Sequence, residues 1–500
     1  MTDADAPHFY RNFPRADVSA SVREYLRLHP SARFVADPSG TTRIFAGYRG
    51  TVLGALSPGL TAALELLATR SVDRDDLLDV VRNQEGEPAL LKVSEMLNRL
   101  RAGGWLSVTL KTNGTPLLTF RPLGPAIPAV LEHTGDTAEL RLSRFALLRA
   151  EGSGIVLESP LAHVAVEVHD PSLVGLLASL SAQHSSEAAP HGSVGARTYP
   201  VEWPEAVPAV LSALARHGLL VPRTNSVEGE LRFAQWSPHE LWFHSRTRIG
   251  RHDLPYGGTY PGRGAGDPLP AVRPPFDGPT VKLPRADLQA LRRNDRPLTE
   301  VLEDRQSLRL HNDAVPLTIT QLGEFLYRSA RNRGRSFDGP QQVGNRPYPS
   351  GGGTYELEIY PLINRVDGLE PGLYHYDPEE HRLQLLARPG PALTRLTEMS
   401  RVTAQMPSPP QVTLLVTARF GRVMWKYSAM GYALLLKHVG VLYQVMYSVA
   451  TAMGLASCGL GGGDSDAFAT ASGLSWETES TVGEFLLGSR ETERDDGARA

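Results

Sequence analysis

Lys426 and Tyr427 follow Trp425 just ahead of the most apolar long stretch of the chain, Tyr432–Ala456. An ionisable pair at the edge of so dry a segment can do proton chemistry. Desolvation there lowers the lysine pKa and lets the amine act as a general base near neutral pH. The same placement also suits a snorkelling lysine beside a packed tyrosine. In Arg305-Gln306-Ser307-Leu308-Arg309, extended backbone turns Arg305, Ser307 and Arg309 to one side, where three donors can converge on a phosphate. That string also reads as a solvated surface cluster. Two glycine-rich loops complete the set. Pro349-Ser350-Gly351-Gly352-Gly353 precedes an apolar run at Leu357–Leu362, and Gly459-Leu460-Gly461-Gly462-Gly463-Asp464 closes the long apolar segment. Glycines let backbone N–H groups approach a flat or anionic ligand, although either loop taken singly also fits a helix cap or tight turn. Neither has the spacing of a dinucleotide fingerprint or a P-loop.

Elements that could position these groups are legible around them. Beyond about residue 296, helical patterns such as Ile319–Ala330 alternate with strand-like runs at Leu357–Leu362 and Val412–Thr417, which predicts an α+β domain over 296–490 with a charged tail at 491–500. Upstream, Tyr256–Pro279 is dense in Gly and Pro and excludes regular helix, so 224–295 reads as a linker that wraps the catalytic domain. The first half repeats itself. Leu60, Ala63, Leu64 and Leu67 follow the i, i+3, i+4, i+7 pattern, and Leu173, Leu176, Leu177 and Leu180 repeat it about 113 positions on. Val93, Met96, Leu97 and Leu100 find their counterparts in Val207, Val210, Leu211 and Leu214, each set followed by glycine and a short apolar run. Two small winged-helix-like modules follow, at 1–122 and 142–223, with a Ser/Ala/Gly/His-rich loop from His184 to Gly195 inside the second.

Composition narrows the function. The 500 residues are 41% apolar and 21% charged, which excludes wholesale disorder and exceeds a single core. A net charge of −3 and sparse Lys/Arg on the second helices argue against nucleic acid, leaving peptide binding or packing for the modules. A single cysteine, Cys458, excludes an internal disulfide framework and reads as a packed thiol; a cytoplasmic protein without secretory signal or membrane span is expected. His244 and His252 lack companions for a metal site, so no metal is expected, and Asp464 and Asp466 read as helix-capping or loop-holding residues.

The order of these elements resembles a known family. Residues from about 296 to 488 are similar to the nitroreductase-like flavoproteins, and within them to the SagB-type dehydrogenases, the azoline oxidases of thiazole/oxazole-modified peptides. The resemblance is carried by LGEFLYRSAR, RPYPSGGGTYELEIYP, GLYHYDP, ARFGRVMWKYSAMGYALLLKHVGVLYQ, GLGGGDSD and VGEFLLG, with HSRTRIGRHDLPYGGTY upstream. It implies FMN as cofactor, held by Arg305, Ser307 and Arg309. Pro349, Ser350, Gly351 and Gly352 would lie against the ring from the partner subunit of a homodimer, and Gly461 and Gly462 near its N5 edge. It further implies Lys426 as the base with Tyr427 assisting. The substrate would be an azoline-containing precursor peptide, made with an ATP-dependent cyclodehydratase, and dioxygen the terminal oxidant. Gly353 or Thr354 stands where ordinary nitroreductases have asparagine. The winged-helix pair would grip the leader as a strand added to the wing. An NAD(P)H-dependent nitro- or quinone-type reductase and a non-catalytic peptide-binding subunit are the competing expectations.

Overall fold

The computed structural model describes residues 22–47, 49–125, 139–181, 201–224 and 226–491, in two compact units, 1–253 and 254–500. Residues 1–21, the His184–Gly195 loop within 182–200 and the tail from 492 lie outside the described residues.

The first unit is a duplication that runs deeper than its helices. Strand Val22–Leu28 pairs antiparallel with Leu106–Thr112, setting Leu28 opposite Leu106; one repeat later Leu140–Leu142 pairs with Leu220–Pro222, setting Leu142 opposite Leu220. The meander Arg33–Ala36, Thr41–Ala46, Arg49–Ala55 recurs as Leu147–Glu151, Gly154–Glu158, Val164–Val168. Helices Pro58–Thr69 and Leu90–Ala102 recur as Ser172–Ser181 and Val207–Arg216, and the leucines of both stripes are buried. Helix Arg74–Glu85 has its repeat position among the residues not described.

The two copies differ in their sheets. Strand Thr115–Pro122 of the first copy pairs with Val164–Val168 of the second, so a single six-stranded sheet joins both modules. The first meander remains a separate three-stranded sheet, with Arg49–Ala55 at its edge. Both wing strands of the first copy therefore have two neighbours, and the edge at which a peptide was expected to add is taken. The second copy has no hairpin there. Pro222 lacks a backbone donor to extend the strand, and the chain turns at Val227–Gly229, where buried Glu228 accepts from Ser143 Oγ at 2.6 Å and Arg141 Nη2 at 2.7 Å.

The second unit is built on a seven-stranded antiparallel sheet in the order Thr280–Lys282, Arg382–Ala387, Gly372–Asp377, Leu357–Ile363, Val412–Arg419, Glu479–Ser489, Leu455–Leu460. Every residue of Leu357–Ile363 is buried, as a strand covered on both faces must be. Leu357, Ile359 and Ile363 turn toward helices Ile319–Ala330 and Gly431–Ala452, whereas Tyr360 and Leu362 face Leu393, Leu396 and Phe468. Helix Gly431–Ala452 is long and apolar enough to cross a membrane, but Leu435, His438, Leu442, Met446 and Val449 bury one side of it in this core.

The stretch read as a linker divides between the units. Helix Pro238–Arg246, opened by a Ser237/Glu240 capping box, belongs to the first. From Leu254 onward the chain is part of the second, and Thr280–Lys282 extends the main sheet against Arg382–Gln384. Gly and Pro exclude long helices here but permit close backbone docking. Tyr260 N–H donates to Lys426 O at 3.0 Å and Gly262 N–H to Trp425 O at 3.1 Å, and a Cβ on Gly262 would strike the Trp425 ring.

Candidate active site

Strand Val412–Arg419 delivers the chain into the short helix Phe420–Met424, and the Trp425–Met430 connection then leads to helix Gly431–Ala452. Arg422 anchors this corner. Its fully buried guanidinium donates to the carbonyls of Thr354 (2.9 and 2.5 Å), Leu269 (2.6 Å) and Gln342 (2.8 Å), and burial, with Arg419 nearby, pushes its pKa down to about 10. Lys426 and Tyr427 project from the connection that Arg422 fixes.

Lys426 is 7% exposed, as a group at the edge of a dry segment should be. The expected consequence for its acidity does not follow. Burial alone lowers the lysine pKa, but the Asp338 carboxylate 2.8 Å from Nζ, with Tyr427 and Tyr260 alongside, outweighs it, and the net shift is upward. Lys426 is an ammonium in this state. Asp338 ends the first strand of an exposed hairpin, Gly334–Asp338 and Gln341–Asn345, and its side chain is 56% exposed.

The Pro349–Gly352 loop meets this pair directly. A Cβ on Gly352 would collide with the Tyr427 hydroxyl and stand 3.0 Å from Lys426 Nζ. Gly351 N–H donates to His438 Nε2 at 2.7 Å, and His438 Nδ1 lies 2.6 Å from Glu356 Oε1. Ser350 Oγ is 3.5 Å from the same Nδ1 and accepts from Tyr355 N–H at 3.0 Å. With its Nε2 taken by an amide, His438 cannot draw a proton from Ser350, and the trio is no hydrolytic triad. Pro349 is exposed beside it.

Glu356, His438, Asp338 and Arg422 were absent from the sequence-derived set. His438 carried a signal, because it interrupts the buried helical stripe Leu435, Leu442, Met446, where a polar residue requires a partner. The partner, 82 positions away, carried none.

The second cluster stands elsewhere on the same helix. The Tyr447 hydroxyl is 2.9 Å from Ser307 Oγ and accepts Gly459 N–H at 2.7 Å, while Leu308 N–H donates to Ser457 O at 2.9 Å. The Arg305 guanidinium lies 5.4 Å from the Tyr447 ring centroid, and Arg309 is exposed. These contacts bring the Arg305–Arg309 segment beside the strand Leu455–Leu460, which leads into Gly461 and Gly462. Under the loop, Glu484 fills the space a Cβ on Gly463 would need, and burial pushes its carboxyl pKa up to about 7. Asp464 caps helix Ser465–Ser472 by accepting Ala467 N–H at 2.9 Å, and Cys458 is buried.

The structure thus forms two groups: Pro349–Gly352 with Lys426 and Tyr427, and Arg305, Ser307, Arg309 with Gly461 and Gly462. His438 and Tyr447, which anchor one group each, are nine residues apart on one helix. That separation is about half a turn in phase and roughly 14 Å along the axis, so the groups face opposite sides within one chain. The second group fits the anionic part of a flavin. Its donors are two guanidinium groups and a hydroxyl, and a Cβ on Gly461 or Gly462 would meet nothing within 4 Å, which leaves the loop's outer face free for a ring. Among the described residues no group of His, Cys, Asp and Glu could hold a metal ion.

Comparison with known proteins follows the same division. Residues 28–129 match the ThcOx helix-turn-helix domain, 140–253 the cyanobactin oxidase ThcOx, and 302–488 the nitroreductase family. The putative nitroreductase MJ1384 of Methanocaldococcus jannaschii is 28% identical over 188 residues, 37% of this chain and 85% of that protein. The trifolitoxin-processing protein TfxB of Rhizobium leguminosarum bv. trifolii is 35% identical over 81 residues, 16% of this chain and 22% of its own. The microcin B17-processing protein McbC of Escherichia coli is 29% identical over 114 residues, 22% of this chain and 42% of its own. The chain therefore spans less than half the length of the two peptide-processing relatives it matches.

Proposed function

We propose, from the premise that a chain with these three domains in this order is a SagB-type member of the nitroreductase-like superfamily, that it oxidises azoline rings in a precursor peptide to thiazole or oxazole. The ring loses a proton from one carbon and a hydride from its neighbour, and a ring double bond forms. FMN, when bound, supplies the hydride acceptor and passes the electrons to dioxygen. The residues of this chain do the rest. Arg305, Ser307 and Arg309 bind the phosphate and ribityl chain, and Gly461 and Gly462 admit the ring. Lys426 removes the ring proton once Asp338 has been displaced from it, and Tyr427 orients the azoline against Gly352. A second copy of the chain brings the Pro349–Gly352 group opposite the Arg305 group, because one chain alone turns them to opposite faces of helix Gly431–Ala452. The precursor's leader lies as a fourth strand along Arg49–Ala55, the position whose repeat, Val164–Val168, pairs with Thr115–Pro122. The azoline arrives from an ATP-dependent cyclodehydratase.

The observation that carries this reading is the contact of Lys426 and Tyr427 with the Gly352 loop. Anaerobic addition of an azoline peptide should bleach the oxidised-flavin band near roughly 450 nm in the wild type and leave it in Lys426→Ala. Bleaching of both proteins by NAD(P)H, with no response to the peptide, would select a reductase instead. A flavin inert to both would leave a peptide-binding subunit.

A further inference from the structure

The turn from Ser350 to Tyr355 occupies backbone conformations that need support. Gly352 and Gly353 both have φ of +62°, and Tyr355, which carries a side chain, has φ of +42°. Glycines at such positions surrender much conformational freedom on folding, so a loop of this kind stays in place only if something holds it. Gly353 N–H closes onto Ser350 O at 3.1 Å, and Tyr355 N–H donates to Ser350 Oγ at 3.0 Å. Those bonds lie within the turn and fix its shape without fixing its position.

Position comes from beneath. His438 and Glu356 are 5% and 0% exposed. Because His438 Nε2 accepts the Gly351 N–H, that nitrogen carries a lone pair, and the ring proton must sit on Nδ1, where it is donated to Glu356. Thr354 Oγ1 donates to the other Glu356 oxygen at 2.9 Å, so the carboxylate is satisfied as an acceptor on both sides. One residue beyond the held amide, Gly352 abuts Tyr427 and Lys426.

We propose, on the azoline-oxidase reading above, that Glu356 and His438 are positioning residues: through the Gly351 amide they set the height of Gly352 against Lys426 and Tyr427, and with it the placement of the base and of the tyrosine that orients the azoline. Neither touches the reacting ring. Glu356 fixes the tautomer, His438 offers the acceptor, and the glycine turn transmits the position across one peptide unit.

Two substitutions separate the bonds. In His438→Asn the side-chain amide takes the place of Nδ1 and still donates to Glu356, but nothing accepts the Gly351 N–H. In His438→Gln the amide oxygen takes the place of Nε2 and accepts it. The expected result with an azoline peptide is a fall in kcat of about tenfold or more in His438→Asn, with KM held within about threefold. In His438→Gln most of that loss should be recovered. Equal losses in both variants, or an undiminished kcat in His438→Asn, would overturn the proposal. A second measurement does not depend on turnover. In the full-length protein with ¹⁵N-histidine, the resonances absent from His438→Asn should report the Nδ1–H tautomer, whereas an Nε2–H tautomer refutes the clamp. A wild-type protein that shows the Nδ1–H form but leaves azoline peptides unchanged would sink the functional reading alone.

Discussion

At the scale of single residues, two ionisable groups give this protein a defined response to pH. Lys426 owes its raised pKa to Asp338, an exposed carboxylate on a hairpin. Asp338→Asn removes that carboxylate while burial still opposes the charge, so the lysine pKa falls below that of the wild type and the free amine exists at lower pH. The acid limb of the pH profile of kcat/KM should then move to lower pH, and a limb that stays in place would separate Asp338 from the base. Glu484 is also shifted upward, but by burial rather than by a partner. Its pKa rises from an ordinary 4.5 to about 7 through burial alone. Below about pH 4.5 both folded and unfolded chains hold the proton and nothing is lost; between 4.5 and 7 the unfolded chain ionises first and stability falls. Above 7 the whole cost, about 3 kcal/mol, is present. Urea midpoints at pH 5 and pH 8 should therefore diverge in the wild type more than in Glu484→Gln. Lys426 itself was legible as a lysine at a dry edge, but the sign of its shift was not, because Asp338 lies 88 positions away.

At the scale of elements, what repeats locally was readable and what pairs at a distance was not. The leucine stripes of Pro58–Thr69 and Ser172–Ser181 announce helices because a period of 3.6 is written within eight residues. The strand Thr280–Lys282 hides inside a Gly- and Pro-rich stretch, being three residues long and defined only by its partner Arg382–Gln384. The first meander is where the proposed leader strand can be tested, because it ends in an element without a neighbour. Val35 (53%), Phe45 (43%) and Val52 (54%) are exposed on one small sheet whose last strand, Arg49–Ala55, is an edge. Val52→Asp at this edge should weaken leader-peptide binding about tenfold in a calorimetric titration while leaving the fold intact, since Val52 is already solvated. Unchanged affinity would move the leader elsewhere.

At the scale of the whole molecule, the order of domains was legible because each carries its own local pattern, whereas the division of the residues proposed to hold the flavin between two faces of helix Gly431–Ala452 needed the helix phase itself. The duplication in the first unit also has a bearing on counting. Two copies of a peptide-gripping module would suggest two sites per chain. Yet strand Thr115–Pro122 of the first copy has settled on the edge Val164–Val168 of the second, so one copy serves as the other's permanent guest. A titration should then return one leader per chain, the internal strand having made half of the duplicated capacity permanently self-occupied.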